Sequence, residues 1–381
     1  MNDRAGGRER GQKLAAEYFR GEFEVLRGEP ETGRWYTVPV DGTVSSDGSR
    51  WRGIIKKGAS RNLLVFFVGG GLSVDPFSAA RPHHRPDSEG NGFYSPYLSE
   101  GSIEEEKRLT REGITSDDPS NPFHDWTVIM PAYTTGDLDI GTAEREYTDL
   151  EGGKRTVFYH GYTNYIAFLE KAIGILGGSY SDLVVCGYSA GGFSASLLYD
   201  DTVSRLEITG NRCVVVDSSL FLLDWRRVLA DEWETPDHIR RISKTDDLAY
   251  DGIKHLADRY GGAVKIVYCC SVRDYALSQV QVYYDGLGDD MPTEATPDAA
   301  DRFQARLKEA VGRIEKTVPC ASVYLWDNLA VERGHITRHT GTNNDVFLRK
   351  MDNEISLCEC IQHALGGRTG VWGKEFLEKE Y

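Results

Sequence analysis

The stretch from Leu183 to Phe193 reads LVVCGYSAGGF, and it decides the fold class of this chain. Strand-forming residues run directly into Gly187-Tyr188-Ser189-Ala190-Gly191, and small residues follow. In so tight a strand-to-helix turn, side chains two positions either side of the serine would collide with backbone unless they are glycine. The pattern therefore predicts a nucleophile elbow with Ser189 as the attacking residue. With 41 glycines in 381 residues, the pattern alone is weak and its context must support it.

A second glycine-rich segment lies upstream of the elbow. Residues 63–68 read LLVFFV, which predicts a buried strand, and Gly69-Gly70-Gly71 follow. In hydrolases with an elbow, one oxyanion-binding N–H belongs to the residue after the nucleophile, here Ala190. Another comes from an early loop, for which Gly70 and Gly71 are the candidates. The alternatives are a plain tight turn and a dinucleotide-binding loop, although the third glycine and an evident helix start of the latter are missing.

Strands and helices alternate along the chain without internal repeats. The patterns predict strands at 35–40, 51–56, 63–68, 127–130, 183–186, 213–216, 265–270 and 322–326, and helices at 162–176, 193–199, 253–260, 278–284, 297–316 and 353–365. This alternation predicts an α/β fold with a mostly parallel sheet, flanking helices and active groups at the carboxyl ends of the strands. We expect one domain over 1–381, with 1–34 as an N-terminal extension and 75–125 as an insertion or lid beside the site.

Composition restricts the possible partners. The chain is 40% hydrophobic, which suffices for a large core. Its net charge of −15, from 44 basic and 59 acidic residues, argues against nucleic acid and anionic membranes as partners. The N-terminal sequence shows no apolar leader, and no apolar run is long enough to cross a membrane. The sequence thus predicts a soluble, cytoplasmic protein and leaves its oligomeric state open.

No cofactor or metal site is predicted. Cys269-Cys270 lie in an apolar strand pattern, where buried free thiols are usual, and Cys358-x-Cys360 has no further ligands at zinc spacing. Asp137-x-Asp139 and His83-His84 could hold a cation in principle, yet no regular third ligand accompanies them. We interpret Asp137 instead as a residue that orders a loop near the mouth of the site.

The partners of Ser189 should follow it in the order acid, then histidine. His335 and His339 both fall in the polar loop after the strand pattern ASVYLW, from which a base can reach the elbow. Asp217 follows the strand pattern CVVV, and Asp274 follows KIVYCC. Either acid can support a histidine on geometric grounds.

Several ordered blocks between residues 47 and 367 make the sequence resemble the pectin acetylesterase and Notum-like carboxylesterases, α/β-hydrolase relatives that cleave acyl esters. The blocks are DGSRWRGIIKKGASRNLLVFFVGGG, NPFHDWTVIMPAYTTGDLDIG with its TGD motif, YHGYTNYIAFL, and VVCGYSAGGFSASL. The resemblance implies an α/β-hydrolase fold and a Ser-His-Asp triad. Leu72-Ser73 stand where the family commonly has Trp and Cys, and a threonine replaces the cysteine before the TGD, so pocket-shaping and disulfide-forming residues differ.

The resemblance also separates the candidate acids and bases. In the family, the acid lies in a segment at the end of a strand and a glutamine follows it, as Gln279 follows Asp274 here. The segment at Asp217 instead resembles a part of the family's sequence that has a structural role. His339-Thr340, followed by an aromatic residue and a final helix, resembles the family's base segment more closely than His335 does. The implied triad is therefore Ser189, Asp274 and His339.

The implied activity is that of a serine carboxylesterase acting on short-chain acyl esters, above all acetyl esters, of a small molecule or oligosaccharide. Asp274 would orient His339, which takes the proton from Ser189, while the glycine loop and Ala190 bind the oxyanion. A thioesterase or peptidase would use the same triad, and a non-catalytic binding protein would tolerate a broken one. Because of the net charge and the acidic run Glu104-Glu105-Glu106, we expect neutral esters to be better substrates than acetylated pectin.

Overall fold

A nine-stranded, mostly parallel sheet forms the centre of the protein in a computed structural model. The structure describes residues 22–83, 92–286, 294–327, 329–330 and 335–381. In chain order the strands are β1 (Trp35–Val44), β2 (Arg50–Lys56), β3 (Leu63–Phe67), β4 (Thr127–Pro131), β5 (Ala143–Thr148), β6 (Lys154–Tyr159), β7 (Ser179–Tyr180), β8 (Leu183–Tyr188), β9 (Glu207–Ile208), β10 (Arg212–Asp217), β11 (Lys265–Ser271), β12 (Ala321–Trp326), β13 (Leu329–Ala330), β14 (Ile336–Thr337) and β15 (Val371–Trp372).

The helices alternate with these strands. They are α1 (Pro76–Ala79), α2 (Glu100–Leu109), α3 (Gly161–Leu176), α4 (Ala190–Leu197), α5 (Tyr199–Val203), α6 (Trp225–Arg227), α7 (Asp237–Arg240), α8 (Leu248–Tyr260), α9 (Tyr275–Tyr284), α10 (Pro297–Thr317) and α11 (Leu357–Leu365), with a π-helical turn at Val228–Glu232 and 3-10 turns at Gly261–Ala263 and Lys374–Glu378. Each helix predicted from the sequence is present, with ends shifted by a few residues. The prediction of an α/β fold is confirmed.

The main sheet has the strand order β1-β2-β4-β3-β8-β10-β11-β12-β15. Strand β2 is antiparallel to both its neighbours, and every pair from β4 to β15 is parallel. All strands predicted from the sequence lie in this sheet, and β15 is its one member that the patterns do not predict. Every residue of β3 and β8 is buried. Because successive side chains of a strand point to opposite faces, both faces of the sheet centre are covered.

The parallel strands bring the candidate residues to one edge. Ser189 follows β8, Asp217 ends β10, and Asp274 lies just after β11. These three strands are consecutive neighbours and parallel, so their carboxyl ends meet at the same edge of the sheet. His339 lies beyond β12, the next strand in the sheet, and shortly after β14. The topology therefore places the whole candidate set around one crevice.

The insertion at 75–125 is partly helical. It contains α1 and α2, and α2 carries the acidic run expected to repel pectin. Glu106 of this run is buried and forms a two-point ion pair with the buried Arg52 of β2, with both N···O distances at 2.5 Å. Glu105 forms a similar pair with Arg108, at 2.5 and 2.9 Å. Two charges of the run are thus paired with arginines, and Arg108 is shared with Glu112 at 2.6 Å, so the pairing reduces the predicted repulsion without removing it.

Two local features differ from the sequence patterns. The patterns do not predict the hairpin of β5 and β6, because its residues are largely polar and half-exposed and lack a continuous apolar run. Helix α11 begins at Leu357 rather than at Asn353, since Ser356 and Glu359 form a reciprocal capping box that sets its first turn.

The cysteines are unpaired and mostly buried, as is usual for thiols in a globular interior. All seven cysteines are free, and all except Cys320 are buried. Cys358 and Cys360 lie on α11, as predicted. Among the described residues, no helix combines the length and apolarity that a membrane span requires.

Candidate active site

Ser189 occupies a strained turn between β8 and α4. Its backbone angles are φ 55° and ψ −125°, a conformation that residues other than glycine rarely adopt. The flanking glycines are required by close packing, because a Cβ on Gly187 would collide with the Gly191 carbonyl, and one on Gly191 with the Phe67 carbonyl. The turn has the geometry that the GxSxG pattern predicts. It presents a half-exposed Ser189 side chain above the sheet.

The glycine loop lies directly against this turn. A Cβ on Gly69 would come within 2.8 Å of the Ser189 Cβ, so any larger residue would push the two segments apart. Gly71 has φ +76°, and a Cβ there would collide with the Phe93 carbonyl. Leu72 N–H donates to that same carbonyl at 2.8 Å. The loop is thus held between the elbow and the 75–125 insertion.

Three backbone N–H groups near Ser189 have no acceptor within the part of the chain that the structure describes. They belong to Gly70, Gly71 and Ala190, the residues that the sequence predicts for the oxyanion hole. The next loop residues differ, because Leu72 donates to Phe93 and Ser73 donates to the Gly136 carbonyl at 2.8 Å. Unpaired N–H groups beside a nucleophile can bind a developing negative charge.

Tyr133 supports the glycine loop from below, a role that the sequence analysis missed. Its hydroxyl donates to the Gly71 carbonyl at 2.8 Å and accepts from Leu138 N–H at 3.1 Å. A Cβ on Gly70 would lie 2.6 Å from the Tyr133 ring, so the ring also packs against the loop. The signal available in the sequence was the position of Tyr133, at the end of a predicted strand and just before the TGD motif.

The TGD segment is an ordered turn, as interpreted for Asp137. The Asp137 carboxylate accepts from the Thr135 hydroxyl at 2.6 Å and from Gly161 N–H, at the start of α3, at 2.8 Å. Burial raises the pKa of Asp139 well above its ordinary value, and the negative charge of Asp137 raises it further. Among the described residues no three His, Cys, Asp or Glu side chains gather as a metal site would need. His84 lies outside the described residues.

His339 and Asp274 form a buried, directly hydrogen-bonded pair. The distance from His339 Nδ1 to Asp274 Oδ2 is 2.7 Å, and Asp274 is completely buried. The other carboxylate oxygen, Oδ1, accepts from Ala276 N–H and Leu277 N–H, both at 3.0 Å. Asp274 therefore caps α9 with one oxygen and holds the imidazole with the other.

The charge of this pair favours the protonated imidazole. Burial acts to lower the pKa of His339, but the attraction of Asp274, its hydrogen bond and the charge of Asp217 outweigh that effect. The pKa of His339 is consequently raised above its ordinary value. A base with such a pKa stabilises the proton that it takes from a nucleophile.

The other candidates occupy different positions. His335 is exposed, its ring lies 6.3 Å from that of Tyr381, and its carbonyl accepts from Arg273 Nε at 2.8 Å. Asp217 is fully buried, and its carboxylate accepts from the backbone of the segment that follows His339. No hydrogen bond joins Asp217 to the imidazole within the described residues. The structure pairs Asp274 with His339 through a hydrogen bond and leaves His335 outside that pair.

A cavity of about 440 Å³ connects these groups. Ser189, His339, Ala190 and the glycine loop line it, together with the insertion residues His83, Gly92 and Phe93. Much of the remaining wall is apolar or aromatic, from Leu72, Tyr188, Phe193, Phe221, Tyr275, Leu277 and Val280. No Lys, Arg, Asp or Glu of the described chain lines the cavity. Part of the predicted insertion therefore forms a wall of the site.

The fold is similar to that of the Wnt deacylase Notum from Drosophila in two crystal forms. For crystal form II the TM-score is 0.53 at 18% sequence identity, covering 86% of this chain and 92% of that chain. For crystal form I it is 0.53 at 17% identity, covering 86% and 93%. No protein-family model and no curated protein sequence matches the chain. The likeness establishes an α/β-hydrolase-like fold and agrees with the Notum-like resemblance of the sequence.

Proposed function

We propose that the protein is a serine carboxylesterase with Ser189 as nucleophile, His339 as base and Asp274 as the acid that orients the base. The observation that carries the proposal is the buried Asp274–His339 pair, whose imidazole lines one cavity with a serine in an elbow conformation. A non-catalytic binding protein has no need of a strained serine in the same cavity as a histidine that is paired with a buried carboxylate.

The proton route follows from the hydrogen bonds. Asp274 accepts from Nδ1–H of His339, which leaves the lone pair of Nε2 free to take the Ser189 proton. Ser189 Oγ then bonds to the ester carbonyl carbon, and the carbonyl oxygen becomes an oxyanion. When the intermediate collapses, the imidazolium gives its proton to the leaving alcohol. Water repeats these steps on the acyl-enzyme and releases the carboxylic acid.

The three unpaired N–H groups serve the oxyanion. Gly70, Gly71 and Ala190 supply fixed donors on the wall that also holds Ser189. Tyr133 keeps the Gly71 peptide in place through its hydrogen bond, so the donors need little reorganisation during the reaction.

The cavity supports an uncharged substrate. Its described lining carries no carboxylate and no lysine or arginine, so a charged group would lose water there without meeting any of these side chains among the described residues. Glu105 and Glu106 of the acidic run are paired with arginines, so the lining of the cavity supports a neutral substrate better than that run does. We propose short-chain acyl esters, with acetyl as the smallest, of a neutral alcohol or oligosaccharide. A cavity of about 440 Å³ leaves room for part of the alcohol beside the acyl group.

The decisive experiment is labelling with a fluorophosphonate probe followed by peptide mapping. We expect the label on Ser189 and none in Ser189→Ala, with kcat for p-nitrophenyl acetate reduced by roughly 10⁴-fold or more. Ser196→Ala is the matched control, because Ser196 lies on α4 behind the elbow and its hydroxyl donates to the Phe193 carbonyl of the same helix at 3.0 Å. Labelling at another serine, or full activity in folded Ser189→Ala, would refute the proposal.

A substrate panel then defines the bond cleaved. Acetyl, butyryl and octanoyl esters of p-nitrophenol compare acyl length, and an acyl thioester and a peptide anilide compare leaving groups. We expect the highest kcat/KM on the short esters. A higher kcat/KM on the thioester or the anilide would leave the proposed triad in place but assign the protein a different class of substrate.

A further inference from the structure

The carboxylate of Asp217 sits beneath the candidate triad and accepts four hydrogen bonds. Its Oδ2 accepts from Gly341 N–H at 2.9 Å, from Thr342 N–H at 2.7 Å and from the Thr342 hydroxyl at 2.7 Å. Its Oδ1 accepts from the Ser218 hydroxyl at 2.9 Å. Four donors and no acceptor converge on this fully buried group and favour its ionised form. Burial raises the pKa of Asp217 above its ordinary value, and the hydrogen bonds from Thr342, Gly341 and Ser218 oppose that effect.

No cation neutralises this charge among the described residues. Asp217 takes part in no ion pair there, and its charge acts on the thiols of Cys186, Cys269 and Cys270 on β8 and β11 as well as on His339. Burial, with a smaller contribution from Asp217, raises the pKa of each of these thiols well above its ordinary value. The thiols therefore stay neutral, so among the described residues hydrogen-bond donors rather than a cation stabilise the charge of Asp217.

The same residue connects both halves of the candidate site. Its backbone carbonyl accepts from Ser189 N–H at 2.8 Å, at the strained turn. The Ser218 hydroxyl, which donates to its carboxylate, also accepts from Thr340 N–H at 3.2 Å. Ser218 and Thr340 have φ of 52° and 65°, a backbone conformation that is unfavourable for residues other than glycine. The hydrogen bonds between the two loops hold both residues in it.

We infer that Asp217 is a positioning residue for the reaction: its buried carboxylate holds the loop after His339, its backbone carbonyl holds Ser189 N–H at the elbow, and its negative charge favours the imidazolium. The inference rests on the proposed esterase function. Asp274 contacts His339 and orients its imidazole, whereas Asp217 positions the loop after His339 and adds a negative charge.

The expected effect on His339 follows from the groups around it. The charged groups that act on its imidazole are Asp274, in direct contact, and Asp217; Tyr275 packs edge-on at 6.2 Å, and His83 lines the same cavity. Both carboxylates favour the imidazolium, so loss of either charge lowers the pKa of His339.

Two variants separate charge from position. In Asp217→Asn the amide oxygen can replace Oδ2 and the amide N–H can meet the rotatable Ser218 hydroxyl, so the shape is kept and the charge is lost. We expect the acid limb, the low-pH side of the pH profile of kcat/KM, to move to lower pH by roughly half a unit to one unit. This shift is smaller than the one that loss of a contacting carboxylate would cause.

In Ser218→Ala the charge of Asp217 stays, and the hydrogen bond to Thr340 is lost. We expect kcat to fall about tenfold with KM and the acid limb unchanged.

The histidine itself gives a readout that needs no substrate. The ¹³Cε1 signal of His339, assigned with His339→Gln, is titrated by NMR in the wild-type protein and in Asp217→Asn. A lower pKa in the variant supports the inference, and an unchanged pKa together with unchanged kcat in Ser218→Ala overturns it. If Asp217→Asn does not fold, the kcat of Ser218→Ala decides.

Failure of the proposed function gives a different result. A wild-type protein that neither hydrolyses esters nor reacts with fluorophosphonate refutes the esterase, whatever the titration shows. A wild-type protein that does both, with variants identical to it in kcat, acid limb and His339 titration, refutes only the role of Asp217.

Discussion

Asp274→Asn tests whether the hydrogen bond to His339 sets the chemistry of the candidate site. Oδ1 of Asp274 accepts from two N–H groups at the start of α9, and Oδ2 faces His339 Nδ1 at 2.7 Å. If the amide N–H₂ replaced Oδ1, two buried donors would lose their acceptor, at a cost of about 1–3 kcal/mol each. The amide oxygen should therefore keep the helix cap, and the N–H₂ should face the imidazole.

A donor in that position reverses the tautomer of His339. Nδ1 must then accept, Nε2 carries the hydrogen, and no lone pair faces Ser189. We expect kcat for p-nitrophenyl acetate to fall by roughly 10⁴-fold, which corresponds to about 5.5 kcal/mol of barrier. The Tm should change little, since the cap of α9 remains.

Asp247→Asn provides the matched control. Asp247 is also a buried N-cap carboxylate, at the start of α8, and it pairs with Arg313 rather than with a histidine. We expect this variant to lose stability and to keep its kcat. A kcat for folded Asp274→Asn within tenfold of the wild-type value would show that the base does not depend on this hydrogen bond.

Three further predictions concern the base, the pH dependence and the substrate. His339→Ala should reduce kcat as strongly as Ser189→Ala, whereas His335→Ala, at an exposed position, should keep most activity; the reverse order in purified variants would move the base to His335. Because the neutral imidazole is the active form and the pKa of His339 is raised, kcat/KM should rise with pH through a midpoint above 6.5, and a midpoint below that value would contradict the assigned charges. Neutral acetyl esters should exceed acetylated pectin in kcat/KM; pectin as the best substrate, with rates that salt lowers, would mean a basic entrance.

The sheet could be predicted because its strands are continuous apolar runs. LLVFF and LVVCGY are buried throughout, and such runs bounded by glycine have few alternatives to a central strand. The short β15 and the polar hairpin of β5 and β6 carry no such signal, because tertiary contacts rather than composition determine them.

The candidate site could be predicted in part. The expected chain order of nucleophile, acid and histidine restricts the partners of Ser189 to residues that follow it. Asp217 ends one parallel strand and Asp274 follows the next one. Residue patterns alone do not show which of the two carboxylates contacts the imidazole. The same limit applies to Tyr133, whose hydroxyl meets Gly71 from a distant part of the chain. Only the folded loops place these groups at hydrogen-bond distance.

The distribution of thiols leaves Cys320 as the most accessible cysteine for oriented attachment to a surface. Six of the seven cysteines are buried, and Cys320 is half-exposed. Cys320 precedes β12, so it lies at the amino end of that strand, whereas the cavity lies at the carboxyl ends. A maleimide linker at Cys320 would therefore leave the cavity facing the solution. An electrode or bead coated in this way would carry a uniform layer of molecules with their entrances open to substrate.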